Sequence, residues 1–222
     1  MLLRCLASGS SGNCYFLETE KGILIMDCGI SIVEIKKALK FNLSNVVGVI
    51  VSHSHGDHSQ AAEDLRNMGI PVFTPYENCR GDRARCQIAD FRINAFKLPH
   101  NDTLNYGFMV EVEGQRLLYM TDFEYCPYIF TKFKVDHMLI ECNYQTKLAD
   151  RGNPNFEHKV RGHCELEVCK RFIEVNKTDR LKNVILCHLG RGSTDVKEIV
   201  KEVDNVAKTG VHVATKGFEI KL

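Results

Sequence analysis

The stretch that decides the interpretation of this chain is VSHSHGDH, residues 51–58. It follows the apolar run 46–50, which predicts a buried strand, and it precedes a helix predicted to begin near Ser59. Loops at strand ends are where rigid scaffolds present reactive side chains. The polar residues on this loop are too close together for each to find a separate partner, whereas a cation can be shared by neutral imidazoles and a carboxylate. We therefore expect the loop to bind metal through His53, His55, Asp57 and His58.

The spacing of these ligands favours two neighbouring metal positions. In an extended segment alternate residues point the same way, so His53 and His55 would face one position. Asp57 and His58 would turn toward an adjacent one. A solvated histidine-rich loop is the alternative, but it would not require ligands elsewhere in the chain.

Further ligand types stand at the ends of three other predicted strands. His100 follows FRINAFKLP, Asp122 ends QRLLYMTD, and His188 closes the apolar part of NVILCHL. Each alone would be an ordinary loop residue, but together they complete the ligand set of a two-metal site. Nitrogen and oxygen donors accept zinc or manganese, and iron is also compatible.

The composition describes an ordinary globular chain of 222 residues with a net charge of +1. This charge provides no global attraction to nucleic acid or to an anionic membrane. No apolar run approaches the length of a membrane span or a secretory signal, so we expect a cytoplasmic protein. In that reducing compartment the ten cysteines are expected to be free thiols rather than disulfides or a structural metal site.

The pattern of strands and helices predicts the class α/β. Residues 2–8, 13–19 and 22–28 read as an antiparallel meander, and Ser31 with Glu34 forms a capping box for the next helix. Strand clusters in both halves, with helices interspersed, predict an α/β/β/α sandwich of two mixed β-sheets flanked by helices. No linker divides the chain, so we expect a single domain, residues 1–222, with a loop or lid at 145–162.

The ordered set HSHGDH, His100, Asp122 and His188 resembles the five-motif signature of the metallo-β-lactamase fold. LIMDCG resembles the strand that precedes the ligand loop in that family, with Asp27 as the buttressing aspartate. The resemblance implies a first metal on His53, His55 and His100. It implies a second metal on Asp57, His58 and His188, with Asp122 bridging the two ions and a water or hydroxide held between them.

A narrower resemblance is carried by LASGSSGNCYFLE, LIECNYQ and RGHCELE, which look like the YycJ-like (WalJ-like) branch of metal-dependent DNA exonucleases. His163 lines up with a histidine in that branch's Gly-His motif. Gly56 and Cys164 depart from the commonest residues there. No β-CASP insertion is visible between Asp122 and His188, which argues against the RNase J type of nuclease.

The resemblance implies a metal-dependent phosphodiesterase with nucleic acid as its substrate and no predicted protein partner. Asp57 is the expected proton acceptor, and His163 is expected to contact a phosphate oxygen or protonate the leaving group. His163 and Asn143 could have such catalytic roles, or they could only form hydrogen bonds that hold the structure together. A hydrolase of small esters, thioesters or lactams would use the same seven ligands. A non-catalytic binding module would lack a ligand, and none is missing.

Two other polar segments have two interpretations each. Ser8, Ser10 and Ser11 could bind phosphate through successive backbone amides, or they could simply form a glycine-rich turn. The cluster of Arg80, Arg83 and Arg85 could follow a nucleic-acid backbone on a mobile segment, or it could be a solvated face.

Overall fold

The computed structural model describes residues 1–79 and 81–222. The first of its two sheets has six strands in the order β13-β1-β2-β3-β4-β5. These are β1 (Leu2–Ala7), β2 (Cys14–Thr19), β3 (Gly22–Cys28), β4 (Val46–Ile50), β5 (Val72–Phe73) and β13 (Glu219–Lys221). The first three strands form the predicted antiparallel meander, and β3, β4 and β5 run parallel. This sheet is therefore mixed.

The second sheet has seven strands in the order β12-β11-β10-β9-β8-β7-β6. These are β6 (Arg83–Ile88), β7 (Phe91–Leu98), β8 (Asn105–Val112), β9 (Gln115–Met120), β10 (His137–Glu141), β11 (Asn183–Cys187) and β12 (Gly210–Val213). Strands β6 to β9 are antiparallel and β9 to β12 are parallel. The parallel ends of β9 and β11 bring residues distant in sequence to one edge of the sheet.

The helices lie between these strands: α1 (Ile32–Ala38), α2 (Gly56–Ser59), α3 (Ala62–Asn67), α4 (Pro75–Asn78), α5 (Phe156–Gly162), α6 (Leu166–Asn176) and α7 (Val196–Ala207). A short 3₁₀ turn covers Thr131–Phe133. Ser31 caps α1 as predicted, since its Oγ accepts from the amide of Glu34, and the Glu34 carboxylate accepts from the Ser31 hydroxyl. Across residues 1–79 and 81–222, no helix has the length and apolar character needed to cross a membrane.

Three separate apolar cores define the layers. A central core joins the facing surfaces of the two sheets, for example through Leu24 of β3 and Phe108 of β8. A second core lies between the first sheet and its helices, around Leu65 of α3. The third core packs α6 and α7 on the second sheet, around Phe172. This order of layers is α/β/β/α, so the predicted fold class is confirmed.

Several local predictions were wrong. The predicted loop at 145–162 contains α5. Asp57 and His58 lie in the one-turn helix α2 rather than on a loop. Each of these helices is short and has little apolar periodicity, so contacts with the rest of the fold, rather than sequence pattern, hold it in place.

The ten cysteines are all free thiols, as expected, and seven of them are buried: Cys5, Cys14, Cys28, Cys142, Cys164, Cys169 and Cys187. Burial raises the pKa of the Cys5 thiol to about 12. Such thiols pack as small apolar side chains and stay protonated.

The first residue of β10, in the second sheet, is a buried histidine that lies far from the ligand loop. His137 is fully buried, its Nε2 lies 2.8 Å from Gln115 Oε1, and its Nδ1 lies 3.1 Å from Asn183 Nδ2. This pattern suits a neutral imidazole that accepts at Nδ1. Burial lowers the pKa of His137 to about 4, an effect that Asp136 opposes and Lys182 strengthens.

We predict that protonation of His137 destabilises the fold at acidic pH. The unfolded chain takes up this proton near pH 6.5 and the folded chain only near pH 4, so the free energy of unfolding falls through that window. Urea unfolding of the wild type and of His137→Gln should show a steeper fall for the wild type between these pH values. Parallel curves would contradict the prediction.

Candidate metal centre

Three histidines converge at the ends of β4 and β7. Nδ1 of His55 lies 3.0 Å from Nε2 of His53 and 3.3 Å from Nε2 of His100. His53 and His100 are buried, and His55 is half-buried. Burial lowers the pKa of both His53 and His100, with neighbouring imidazoles adding to the effect, so both rings favour the neutral form. Neutral imidazole nitrogens that face one point are the donors that a zinc-like cation requires.

A second group forms beside the first from Asp57, His58, Asp122 and His188, whose candidate ligand atoms lie within 4.8 Å of one another. His58 Nε2 is 3.6 Å from Asp57 Oδ2 and 3.3 Å from Asp122 Oδ1. His188 Nδ1 is 2.7 Å from Asp122 Oδ1. The sequence separation between Asp57 and His188 is bridged because β4, β9 and β11 all end at this edge of the sandwich.

Asp122 lies between the two groups. Its Oδ1 faces His58 and His188, whereas its Oδ2 is 3.9 Å from Nε2 of both His53 and His100. Burial alone would raise the pKa of this carboxyl, but His188 and His58 hold it well below its usual range. Asp122 is therefore an anion with one oxygen directed at each histidine group.

The aspartate expected to buttress the loop occupies the centre of a hydrogen-bond network. Asp27 Oδ2 accepts from Tyr119 Oη at 2.6 Å and from His58 Nδ1 at 2.6 Å. Its Oδ1 accepts from the amide of Ser52 at 2.7 Å. An imidazole that donates from Nδ1 to a carboxylate presents its Nε2 lone pair to a metal. The Asn13 side-chain nitrogen lies 3.0 Å from that Nε2, so this amide would have to give up the lone pair to a bound metal.

The sequence did not identify Glu141 as part of the site. This fully buried carboxylate, at the end of β10, accepts through Oε1 from Nδ1 of His163 and of His188, both at 2.8 Å. Its Oε2 accepts from the amides of Phe123 and Cys164. The signal that could have revealed Glu141 is an acidic residue directly after the apolar residues of β10, because a carboxylate is rarely placed in a buried strand without a partner.

The electrostatic environment of the two histidines bound to Glu141 follows from these contacts. Burial alone would lower the pKa of His163, but Glu141 raises it above its ordinary value. Burial also opposes the charge on His188, yet Asp122 and Glu141 raise the pKa of that ring to about 10. The surroundings of His188 thus favour a positive charge, which a proton or a metal ion can provide.

The residues fit a bound cation. Nε2 of His188 is a buried polar atom that has no hydrogen-bond partner among residues 1–79 and 81–222. Unpaired buried polar atoms are rare in folded proteins unless a ligand or water completes them. Imidazole nitrogens and carboxylate oxygens are also the donor set that zinc, manganese and iron accept.

Backbone conformation at the strand ends is unusual. Asp27, Asp122 and His188 have φ values of 53°, 50° and 50°. Non-glycine residues occupy this left-handed region uncommonly, at a cost of about 1–3 kcal/mol each, and such residues cluster at functional sites. The conformation turns each side chain out of its strand and into the site.

The structure also shows the contacts of Asn143 and of the serine-rich turn, for which the sequence left two interpretations open. The Asn143 amide donates to the carbonyl of His188 and to Glu141, and Ser8 Oγ accepts from Tyr15 Oη and from the amide of His188. Both residues thereby hold the site together. Ser10 and Ser11 are exposed in a turn that the Gly12 amide closes onto Gly9 O.

Two of the three clustered arginines lie on the outermost strand of the second sheet. Arg83 and Arg85 are exposed on the edge strand β6, which favours the solvated face over a mobile segment. Arg80 lies outside the residues that the structure describes.

Comparison with known proteins agrees with this geometry. Residues 7–72 match the family model described as the metallo-beta-lactamase superfamily. The exodeoxyribonuclease YycJ of Bacillus anthracis is 23% identical over 248 residues, covering 97% of this chain and 92% of that protein. The exodeoxyribonuclease WalJ of Streptococcus pneumoniae is 24% identical over 224 residues, covering 87% and 83%. The structure of the metallo-beta-lactamase fold protein YhfI from Bacillus subtilis superimposes with a TM-score of 0.76 at 18% identity, covering 99% and 98%.

The likeness of structure shows that the chain has the metallo-beta-lactamase fold, and residues 7–72 match that superfamily's model. Together with the similarity in sequence to the YycJ and WalJ exodeoxyribonucleases, which confirms the narrower resemblance, this supports a metal-dependent hydrolase.

We predict that Asp27→Asn weakens metal binding at the second group of ligands. The substitution removes the anion that orients His58, and loss of such a partner lowers metal affinity by about 10–100-fold. Competition against a fluorescent chelator would measure the affinity, with circular dichroism to establish folding. Asp64→Asn, an exposed change on α3, is the matched control. Equal affinities in the two variants would refute the role of Asp27.

Proposed function

We propose that this protein is a dinuclear metal-dependent phosphodiesterase that degrades DNA as an exonuclease, with residues 1–222 acting as one domain. The observation that carries the proposal is Asp122, whose two carboxylate oxygens face separate groups of histidines. The printed names of the YycJ and WalJ relatives support DNA as the substrate. The central core supports a single domain, because it draws on strands from both halves of the chain.

Seven residues would hold the two metals, which we propose to be zinc or manganese, with iron as a further option. His53, His55 and His100 would bind the first, Asp57, His58 and His188 the second, and Asp122 both. When bound, such a pair of cations acidifies water and neutralises charge that develops on phosphoryl oxygens.

Asp57 is the proposed proton acceptor. Its side chain retains 27% of its exposure, so it is the most accessible carboxylate beside the histidines, whereas Asp122 is almost fully buried. A carboxylate at the mouth of the site can receive a proton from water and release it to solvent.

His163 is the proposed donor to the leaving group. Glu141 accepts from its Nδ1 at 2.8 Å, which fixes the ring and leaves Nε2 as the nitrogen available to a substrate. The ring lines the same cavity as His188, so it lies beside the ligand groups without belonging to the seven ligands. General acid catalysis of this kind contributes about 10²–10⁴-fold to a rate.

The proposed activity is tested with metal-stripped protein to which Zn²⁺ or Mn²⁺ is returned. We expect metal-dependent hydrolysis of bis-p-nitrophenyl phosphate and stepwise shortening of end-labelled duplex DNA. Both activities should be lost in the His55→Ala, Asp57→Ala double variant, because it removes a ligand from each group. If the protein binds two metals but leaves the diester and the DNA intact, while it hydrolyses a thioester, the small-molecule hydrolase is the correct class.

A second prediction separates a catalytic His163 from a structural one. Loss of a proton donor matters most when the leaving group is basic, so His163→Ala should slow DNA cleavage by about 10²-fold or more. Hydrolysis of bis-p-nitrophenyl phosphate should fall much less, since p-nitrophenolate leaves without protonation. His212→Ala, on the edge strand β12, is the control. Equal losses on both substrates would indicate a structural role.

A further inference from the structure

A cavity of about 480 Å³ opens beside His163 and His188 and extends away from the ligand groups. Helix α5 forms one wall, and the loop 189–193 after β11 forms the opposite wall. The volume is within the range of small-ligand sites, about 300–1,000 Å³. The wall residues contain more cationic and donor groups than carboxylates, with Asp150 as the acidic member and its Oδ1 already bonded to the amide of Gly152.

Lys159 is the central feature of this cavity. It is half-buried on α5, and its Nζ donates to Ser193 Oγ at 2.8 Å. Among the described residues this neutral hydroxyl is its one side-chain partner. Burial lowers the pKa of Lys159, and the more distant Glu141 only partly offsets the effect. A partly buried ammonium without a bonded carboxylate is unfavourable, and an anionic ligand would relieve the cost.

The opposite wall is a glycine loop held tightly against the end of β10. The Gly190 amide donates to Asn143 O at 2.8 Å, and a Cβ at Gly190 would lie only 2.6 Å from that oxygen. The Gln145 amide in turn donates to Ser193 O. Within residues 1–79 and 81–222, the amides of Arg191, Gly192 and Ser193 make no hydrogen bond. These three residues line the cavity, and successive free amides are the groups from which proteins build anion sites.

We infer that this cavity binds the terminal phosphate of a nucleic-acid strand while the next phosphodiester lies at the ligand groups. The inference rests on the proposed phosphodiesterase function and specifies its substrate as a strand end that carries a phosphomonoester. An ammonium, a hydroxyl and several amides match the three oxygens of that group. Arg191, exposed at the rim, adds a further cation.

The distance between Lys159 and His163 is suited to one nucleic-acid strand that occupies both the cavity and the ligand groups. Lys159 lies on α5 and His163 directly follows the end of this helix, four residues later, so their backbones are about 6 Å apart along the helix axis. Neighbouring phosphates of one strand are separated by more than their axial rise of about 3.4 Å, because the backbone winds around the duplex axis, so this distance corresponds to about one nucleotide. The wall formed by α5 and the glycine loop would then limit how far a strand extends past the cleaved bond. Cleavage would proceed from ends.

The first test compares duplexes that differ only in their termini, with a 5′-phosphate, a 5′-hydroxyl, a 3′-phosphate or a 3′-hydroxyl. We expect the wild type to cleave one phosphorylated end with kcat/KM at least about tenfold above its hydroxyl counterpart. Lys159→Gln should reduce that ratio to near one, Lys159→Arg should restore much of it, and Lys201→Gln, an exposed change on α7, should leave it intact. Equal rates on phosphate and hydroxyl ends, or an unchanged ratio in Lys159→Gln, would overturn the inference while the phosphodiesterase stands.

A binding measurement tests the cavity independently of turnover. Calorimetry of the metal-loaded protein with thymidine 5′-monophosphate, thymidine 3′-monophosphate and thymidine should give the tightest binding for one monophosphate. That affinity should fall about tenfold in Lys159→Gln and stay at the wild-type value in Lys201→Gln. Equal affinity of the wild type and Lys159→Gln for the monophosphate would refute the subsite. If the wild type binds the monophosphate but does not cleave DNA, that result would count against the proposed function instead.

Discussion

The carboxylate of Asp27 is the interaction on which the site depends. It accepts hydrogen bonds from the end of β4 through Ser52, from the ligand helix α2 through His58, and from the second sheet through Tyr119. A buried carboxylate without partners would be strongly unfavourable, and four donors satisfy this one. The same bonds fix the relative position of the two sheets and the orientation of one imidazole. Stability and ligand geometry are therefore set by a single group.

The ligand groups themselves follow from this arrangement of strand ends. Their histidines and carboxylates are buried together, which is stable only when opposite charges are paired. Part of that pairing is already present, because Asp122 lies against His58 and His188. Within residues 1–79 and 81–222, Nε2 of His188 stays buried without a hydrogen-bond partner. A donor set of this kind is suited to binding cations.

The sequence was sufficient for features that depend on local pattern. Alternation and turn residues predicted the meander, and ligand types at strand ends predicted which side chains would meet. It failed where tertiary contacts decide the structure. Helix α5 has too few apolar positions to reveal itself, and α2 exists because the fold around it holds one turn in place. Glu141 was overlooked because its partners, His163 and His188, are brought to it by α5 and β11 from far along the chain. The cavity beside these histidines was also overlooked, because it is formed by α5 and the loop after β11, which only the fold brings together.

Glu141 accepts from His163 and His188 through the same oxygen, so these histidines do not respond independently to change. When one of these histidines is replaced, Glu141 keeps the other as its single imidazole partner, so the pKa and the orientation of that ring are expected to change. Substitutions at the two positions should therefore be non-additive. Over evolutionary time this coupling would make the pair drift together, because a change in either histidine alters the selective cost of changing the other.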